Sequence, residues 1–341
     1  MKHIGIITFQ NANNYGAVFQ AFALQKTVEK LGAKAEILNY DSPNMGLKSV
    51  QTKVFSDFTQ KYLNLTAPYT NKKDIETTGF DAVISGSDQV WNPGLTGSDM
   101  TYFLDFVGKD VKKLSYAASI GLNEDLFLEY KEVFEKYVPE FEAVSLREET
   151  HVPYIKSIVD GNKQVITSID PSLLLTAGEY AQAFGLKETQ KEEYIFVFSY
   201  AYDPKLYDFA NMLSLKTGYK IVALTFYNAG SFVDGASVLR NVPPVDWLQL
   251  FNDAKMVITD SFHGMMFSMI FNKPFYAYTP NRSNVARVTD VLKKFGLEDR
   301  KLTNIQSIKD VSFELNYAGV NQKIEAEREK SLQYLREQME R

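Results

Sequence analysis

HIGIITF (residues 3–9), QNANNY (10–15), GAVFQAFALQKTVEKLG (16–32) and AKAEILNY (33–40) together decide the fold. A strand-length apolar run leads through a polar turn into Val18, Phe22, Leu24, Val28 and Leu31, which recur near a 3.6-residue period. Gly32 then stands where a helix C-cap belongs, and a second apolar run, Ala35 to Tyr40, follows. Strand, helix and strand in this order form a βαβ unit, the opening of a parallel sheet. Working outward, further strands are expected at Phe80–Ser85, Lys113–Ala117 and Ala143–Leu146, with a helical excursion in Asn44–Thr78 and a helix from Glu124 to Tyr137. A second series starts at Tyr194 and predicts strands at Tyr194–Phe198, Lys220–Leu224, Met256–Thr259 and Pro274–Tyr278. Helices are predicted between them at Pro204–Lys216, at Asp246–Asn252 and from Phe262. Two such series predict an α/β chain of two Rossmann-like domains facing a cleft, residues 1–180 and 190–315, followed by a charged C-terminal helix over 316–341. The polar stretch Thr176 to Glu193 reads as the linker.

Composition narrows the functional classes. The chain has 341 residues, 37 Lys and Arg against 42 Asp and Glu, a net charge of −5 and 45% hydrophobic residues, which suits a soluble globular protein. These values exclude a disordered chain and a strongly basic nucleic-acid binder. No cysteine is present, so disulfides, thiolate metal sites and cysteine nucleophiles drop out, and the cytoplasm is the expected compartment. Apolar runs reach strand length only, which predicts at most peripheral membrane contact. No clustered His and Asp spacing implies a metal.

Parallel sheets bind ligands beyond the C-terminal ends of their strands, so the residues after each strand carry the functional signal. Four turns stand out. After the first strand, Asn14, Tyr15 and Gly16 open a helix. After the third, Ser87, Asp88, Gln89 and Trp91 gather hydroxyl, carboxylate, amide and indole groups suited to a sugar, Trp91 offering a flat apolar face. Arg147 follows Ser145-Leu146 and presents a fork that matches a carboxylate or phosphate. Asp260-Ser261-Phe262-His263-Gly264 ends a strand and begins a helix, placing His263 where an imidazole touches an anion or passes it a proton. His3 and His151 read as structural or surface groups.

The ordered set Asn14-Tyr15-Gly16-Ala17 with Gln20, Gly86-Ser87-Asp88-Gln89-Val90-Trp91-Asn92, Ser115-Tyr116-Ala117-Ala118-Ser119, Ser145-Leu146-Arg147-Glu148, Asp170-Pro171 and Thr259-Asp260-Ser261-Phe262-His263-Gly264 resembles the polysaccharide pyruvyl transferase family from residue 4 to about 296. The resemblance implies a glycosyltransferase-B-like pair of domains. It also implies transfer of a pyruvyl group from phosphoenolpyruvate, a co-substrate and not a cofactor, to a saccharide or lipid-linked oligosaccharide of the cell envelope, at the inner membrane face if the acceptor is lipid-linked. No metal or other cofactor is implied. His263 is then the expected general acid, with Asp260 or Asp88 orienting it or taking a hydroxyl proton. Arg147, Ser261 and Gly264 are expected on the donor, and Asn14, Tyr15, Gly16, Ser87, Gln89 and Trp91 on the acceptor. Better-studied members carry Arg-Leu-His where this chain has Ser261-Phe262-His263, so Arg282 or Arg287 is expected to replace the missing guanidinium. A glycosyltransferase using a nucleotide sugar and a non-catalytic glycan-binding protein are the two rival readings of the same fold.

Overall fold

The computed structural model describes residues 1–42, 52–97, 99–187, 192–200, 203–226, 236–279, 285–303 and 311–340. The chain divides into two compact units, Met1–Leu175 with Glu325–Arg341, and Thr176–Ile324. The first contains β1 (His3–Ile7), α1 (Tyr15–Lys30), β2 (Lys34–Ile37), α2 (Lys53–Tyr62), β3 (Ala82–Ser85), α3 (Pro93–Thr96), β4 (Lys112–Ser115), α4 (Glu124–Glu129), α5 (Lys131–Tyr137), β5 (Ala143–Leu146), α6 (Val152–Ile158) and β6 (Gln164–Thr167). Its six strands are all parallel in the order β2-β1-β3-β4-β5-β6. Val83, Trp91, Phe103, Phe134, Phe141 and Val144 belong to the core on one face of this sheet.

The second unit contains α7 (Ala177–Phe184), β7 (Tyr194–Ser199), α8 (Pro204–Thr217), β8 (Lys220–Thr225), β9 (Ser237–Leu239), α9 (Pro244–Asp253), β10 (Met256–Thr259), α10 (Phe262–Ile270), β11 (Phe275–Tyr278), α11 (Val285–Phe295) and β12 (Lys301–Leu302). These strands are also parallel, in the order β12-β11-β10-β7-β8-β9. Ile195, Val197, Phe209, Ile221 and Ile258 form one apolar layer. Phe198, Trp247, Phe251 and Phe267 pack edge to face in another. A last helix, α12 (Ala318–Glu340), joins the first unit from Glu325 onward. There Tyr334 donates to the Ser115 carbonyl at 2.9 Å and Arg328 Nε to the Leu173 carbonyl at 2.8 Å.

Two expectations are corrected. The first part of the expected linker is helical: Thr176 and Glu179 close a reciprocal capping box that starts α7, and Gly185 ends it at φ 66°. The helix expected over Glu124–Tyr137 is two helices, because the Tyr130 amide bonds the Phe127 carbonyl, one residue short of helical register. Both Phe127 and Phe134 reach the core across that break. Among the described residues, no helix is long and apolar enough to cross a membrane.

Candidate functional site

Strand order locates the crevice of each unit. In the first, the chain winds to opposite sides of β1 and β3, so the switch point lies between the turns after those two strands. Thr8, just past β1, donates to the Ser87 carbonyl at 2.8 Å, and Gln20 of α1 donates to the Thr8 hydroxyl at 2.8 Å. Asn14 caps α1 by accepting from the Ala17 amide at 3.1 Å, while Tyr15 and Gly16 are buried in its first turn. Gly86 sits so close to the Ile7 carbonyl that a Cβ would stand 3.2 Å from it. Beyond it Asp88 adopts φ 72°, a left-handed conformation costly for a residue with a Cβ. Asp88 and Gln89 are half-buried at this edge, and the Asp88 carboxylate accepts from the Gln89 amide at 2.9 Å.

One buried carboxylate gathers the neighbouring strand ends. Asp170, after β6, accepts from Arg147 at 2.9 Å, from the Ser172 amide at 3.0 Å and hydroxyl at 2.7 Å, and from the Ser87 hydroxyl at 3.4 Å. The Arg147 and Asp170 side chains are 4% and 1% exposed. Burial opposes the charge on Arg147, yet the carboxylates of Asp170, Glu148 and Asp88 outweigh it and raise its pKa. Glu148 in turn accepts from the Ser119 hydroxyl and from the Gly121 amide at 3.2 Å.

In the second unit the switch point lies between β7 and β10, and Asp260 spans it. One of its oxygens accepts from the Ser199 hydroxyl and the other from the Tyr200 amide, both at 2.8 Å. Ser261 caps α10 by accepting from the Gly264 amide at 3.2 Å, and the Ser261 amide donates to the Thr259 hydroxyl at 3.1 Å. Helix and strand meet so closely that a Cβ on Gly264 would stand 2.2 Å from Thr259 Oγ1, which explains the glycine. His263, 8% exposed, meets the Phe262 ring edge to face at 5.3 Å, and the Arg287 guanidinium lies 5.9 Å from the same ring. Cation, aromatic ring and imidazole thus stand in sequence at the start of α10.

The structure brings Asp260, Ser261, His263, Gly264 and Arg287 together in the second unit and Asn14, Ser87, Asp88 and Gln89 at the switch point of the first, with Arg147 after β5 linked to Ser87 through Asp170. Arg282 lies outside the described residues. Trp91 is a correction: it is 0% exposed, stacks on Phe103 at 5.3 Å and donates to Ser85 Oγ and the Tyr102 carbonyl, so it offers no face to a sugar. Arg147, expected as an anion clamp, donates through one guanidinium nitrogen to Asp170 and is buried there. Sequence reasoning gave Asp170 no role, since β6 (QVIT) is too short and polar to read as a strand. The Asp-Pro step after it was the available signal. Among the described residues, no group of three or more His, Asp or Glu is placed to hold a metal ion.

Comparison with solved structures agrees on the fold. The UDP-GlcNAc 2-epimerase from Methanocaldococcus jannaschii superposes with a TM-score of 0.53 at 11% identity, over 95% of this chain and 92% of that one. Arabidopsis thaliana UGT89C1 complexed with UDP-L-rhamnose gives 0.53 at 11% identity over 99% and 93%. UDP-GlcNAc 2-epimerase from Neisseria meningitidis bound to UDP-GlcNAc gives 0.51 at 11% over 85% of each. At such identities the likeness is one of fold, the two-unit glycosyltransferase-B type. A search of curated proteins gives no match. The model of the polysaccharide pyruvyl transferase family matches residues 14–282, a span that takes in the strand-end turns of both units, and the chain belongs to that family.

Proposed function

We propose that the chain transfers the pyruvyl group of phosphoenolpyruvate to two hydroxyls of one sugar in a cell-surface polysaccharide or its lipid-linked precursor, forming a ketal and releasing phosphate. The observation that carries this reading is the family match running through both switch points, with His263 in the first turn of α10. The chemistry asks for a proton on the methylene carbon of phosphoenolpyruvate and a bond from a sugar oxygen to the neighbouring carbon. A second hydroxyl then displaces phosphate. His263 is assigned the proton donor, and Arg287 with the α10 amides beside Ser261 and Gly264 is assigned the donor's negative charge. Arg282 is the other guanidinium available in sequence for this charge. Asp260, already fixed by Ser199 and Tyr200, holds the β7 and β10 ends in place. Asn14, Ser87, Asp88 and Gln89 supply the hydroxyl-seeking groups on the acceptor side, Asp88 being the carboxylate assigned to take a hydroxyl proton.

The test is phosphate release from phosphoenolpyruvate with a panel of saccharide acceptors. His263→Ala is expected to keep its fold and lose roughly 100-fold or more in turnover, the scale of an acid–base group. A wild-type protein that ignores phosphoenolpyruvate but turns over a nucleotide sugar would overturn the assignment.

A further inference from the structure

The Ser87–Asn92 turn is bonded internally, the Val90 amide donating to the Asp88 carbonyl at 2.7 Å and the Asn92 amide to the Gln89 carbonyl at 3.1 Å, and it is also held from outside. Asp88, at φ 72°, is strained, and the turn's backbone is paired to the loop after β4: Ser119 donates its amide to the Asp88 carbonyl at 2.9 Å, and the Trp91 amide donates to the Ser119 carbonyl at 3.2 Å. The Gly121 Cα faces Gln89 so tightly that a Cβ would stand 2.3 Å from the Gln89 amide oxygen, which itself accepts from Asn92 at 3.0 Å. What fixes the Ser119–Gly121 loop is Glu148, 9% exposed, whose Oε1 takes both the Ser119 hydroxyl and the Gly121 amide. Its backbone is anchored one residue earlier, where the Arg147 amide donates to the Ala118 carbonyl at 3.1 Å.

The other Glu148 oxygen has a different character. Oε2 is buried without a hydrogen-bond partner, and nearby His151, 5% exposed, leaves both ring nitrogens unpartnered as well. A buried carboxylate oxygen without a donor is costly, and here the charge faces the Arg147 guanidinium in place of a hydrogen bond. The cost sits next to Asp88 and Arg147, where a strained turn must present its side chains.

We infer that Glu148 is a positioning residue for the acceptor-side turn: through Ser119 and Gly121 it holds Asp88 and Gln89 in the conformation that meets the sugar. The inference rests on the pyruvyl transfer reading for its kinetic consequence but not for its structural one. Glu148→Gln keeps a carbonyl oxygen for Ser119 and Gly121 and, because Oε2 takes no bond within the chain, forfeits none. Glu148→Ala loses both bonds, and Ser119→Ala loses one while keeping the backbone pairing to Asp88.

The experiment combines hydrogen–deuterium exchange with kinetics on the full-length chain. In Glu148→Ala, exchange in peptides covering 87–92 and 118–122 is expected to rise about 10-fold or more, with exchange in the second unit unchanged. Ser119→Ala shows a smaller rise in the same peptides, and Glu148→Gln stays within about 2-fold of wild type. With phosphoenolpyruvate and a working acceptor, Glu148→Ala raises the acceptor KM roughly 10-fold and leaves the phosphoenolpyruvate KM within about 2-fold, and Glu148→Gln restores it. If Glu148→Ala does not fold, the Ser119→Ala and Glu148→Gln pair decides. Unchanged exchange at 87–92 in both Glu148→Ala and Ser119→Ala, or a Glu148→Gln protein as loosened as Glu148→Ala, would overturn the inference. A wild type inactive with phosphoenolpyruvate but showing this exchange pattern would instead overturn only the assigned reaction.

Discussion

Replacing Arg147 by Met should harm the protein more than replacing its partner Asp170 by Asn. The side chains of this pair are 4% and 1% exposed, and breaking one partner of a buried pair costs about 3–5 kcal/mol. The direction follows from the other charges in reach of the guanidinium, Glu148 and Asp88. Asp170→Asn leaves Arg147 with two carboxylates still compensating it and keeps an oxygen for Ser172, which places the cost near the lower end, about 3 kcal/mol. Arg147→Met removes the one cation from among three carboxylates, of which Asp170 and Glu148 are buried, and belongs near the upper end, about 5 kcal/mol. That is a large share of the roughly 5–15 kcal/mol that holds a domain folded. Urea unfolding of both variants at pH 7.5, followed by tryptophan fluorescence, reads the order of the two costs. An Arg147→Met protein less destabilised than Asp170→Asn, or destabilised by under about 1 kcal/mol, would refute the reasoning.

Two further outcomes follow from burial. Trp91→Phe should lose the indole bonds to Ser85 and Tyr102 and leave space beside Phe103, costing about 2–4 kcal/mol in denaturant unfolding, with acceptor KM unchanged in the folded variant; a stable variant with raised acceptor KM would restore the ring as a sugar platform. Burial also holds the pKa of His151 below its ordinary value against the opposing pull of Glu148 and Glu124. The unfolded state therefore binds this proton first, so the His151 contribution to stability is present above the ordinary histidine pKa and lost as pH falls below it, a slope His151→Phe should flatten. NMR titration of the three ring signals, assigned by single substitutions, would contradict this if His151 titrated above the ordinary value.

How much was legible depended on how local the cause was. The strand at Ala143–Leu146, the helix over 15–30 and the alternation of both series follow from apolar runs and a 3.6-residue period, which act between neighbours along the chain. The turns that carry the candidate site were legible for the same reason, because a parallel sheet always puts its working loops after its strands. β6, β9 and β12 were not, being two to four residues long or largely polar and formed only because a partner strand supplies their ladder. Which way a side chain faces was decided by residues remote in sequence. Trp91 sits in a turn whose polar neighbours suggest a binding surface, and only Phe103 and Phe141 turn it into the core. Arg147 reads as an open cation until folding brings Asp170, 23 residues on, against its guanidinium. The sequence alone thus determined the fold class, the family and the strand ends where chemistry belongs. Tertiary structure decided which of those residues remain available for it, since burial and ion pairing depend on contacts that no local pattern encodes.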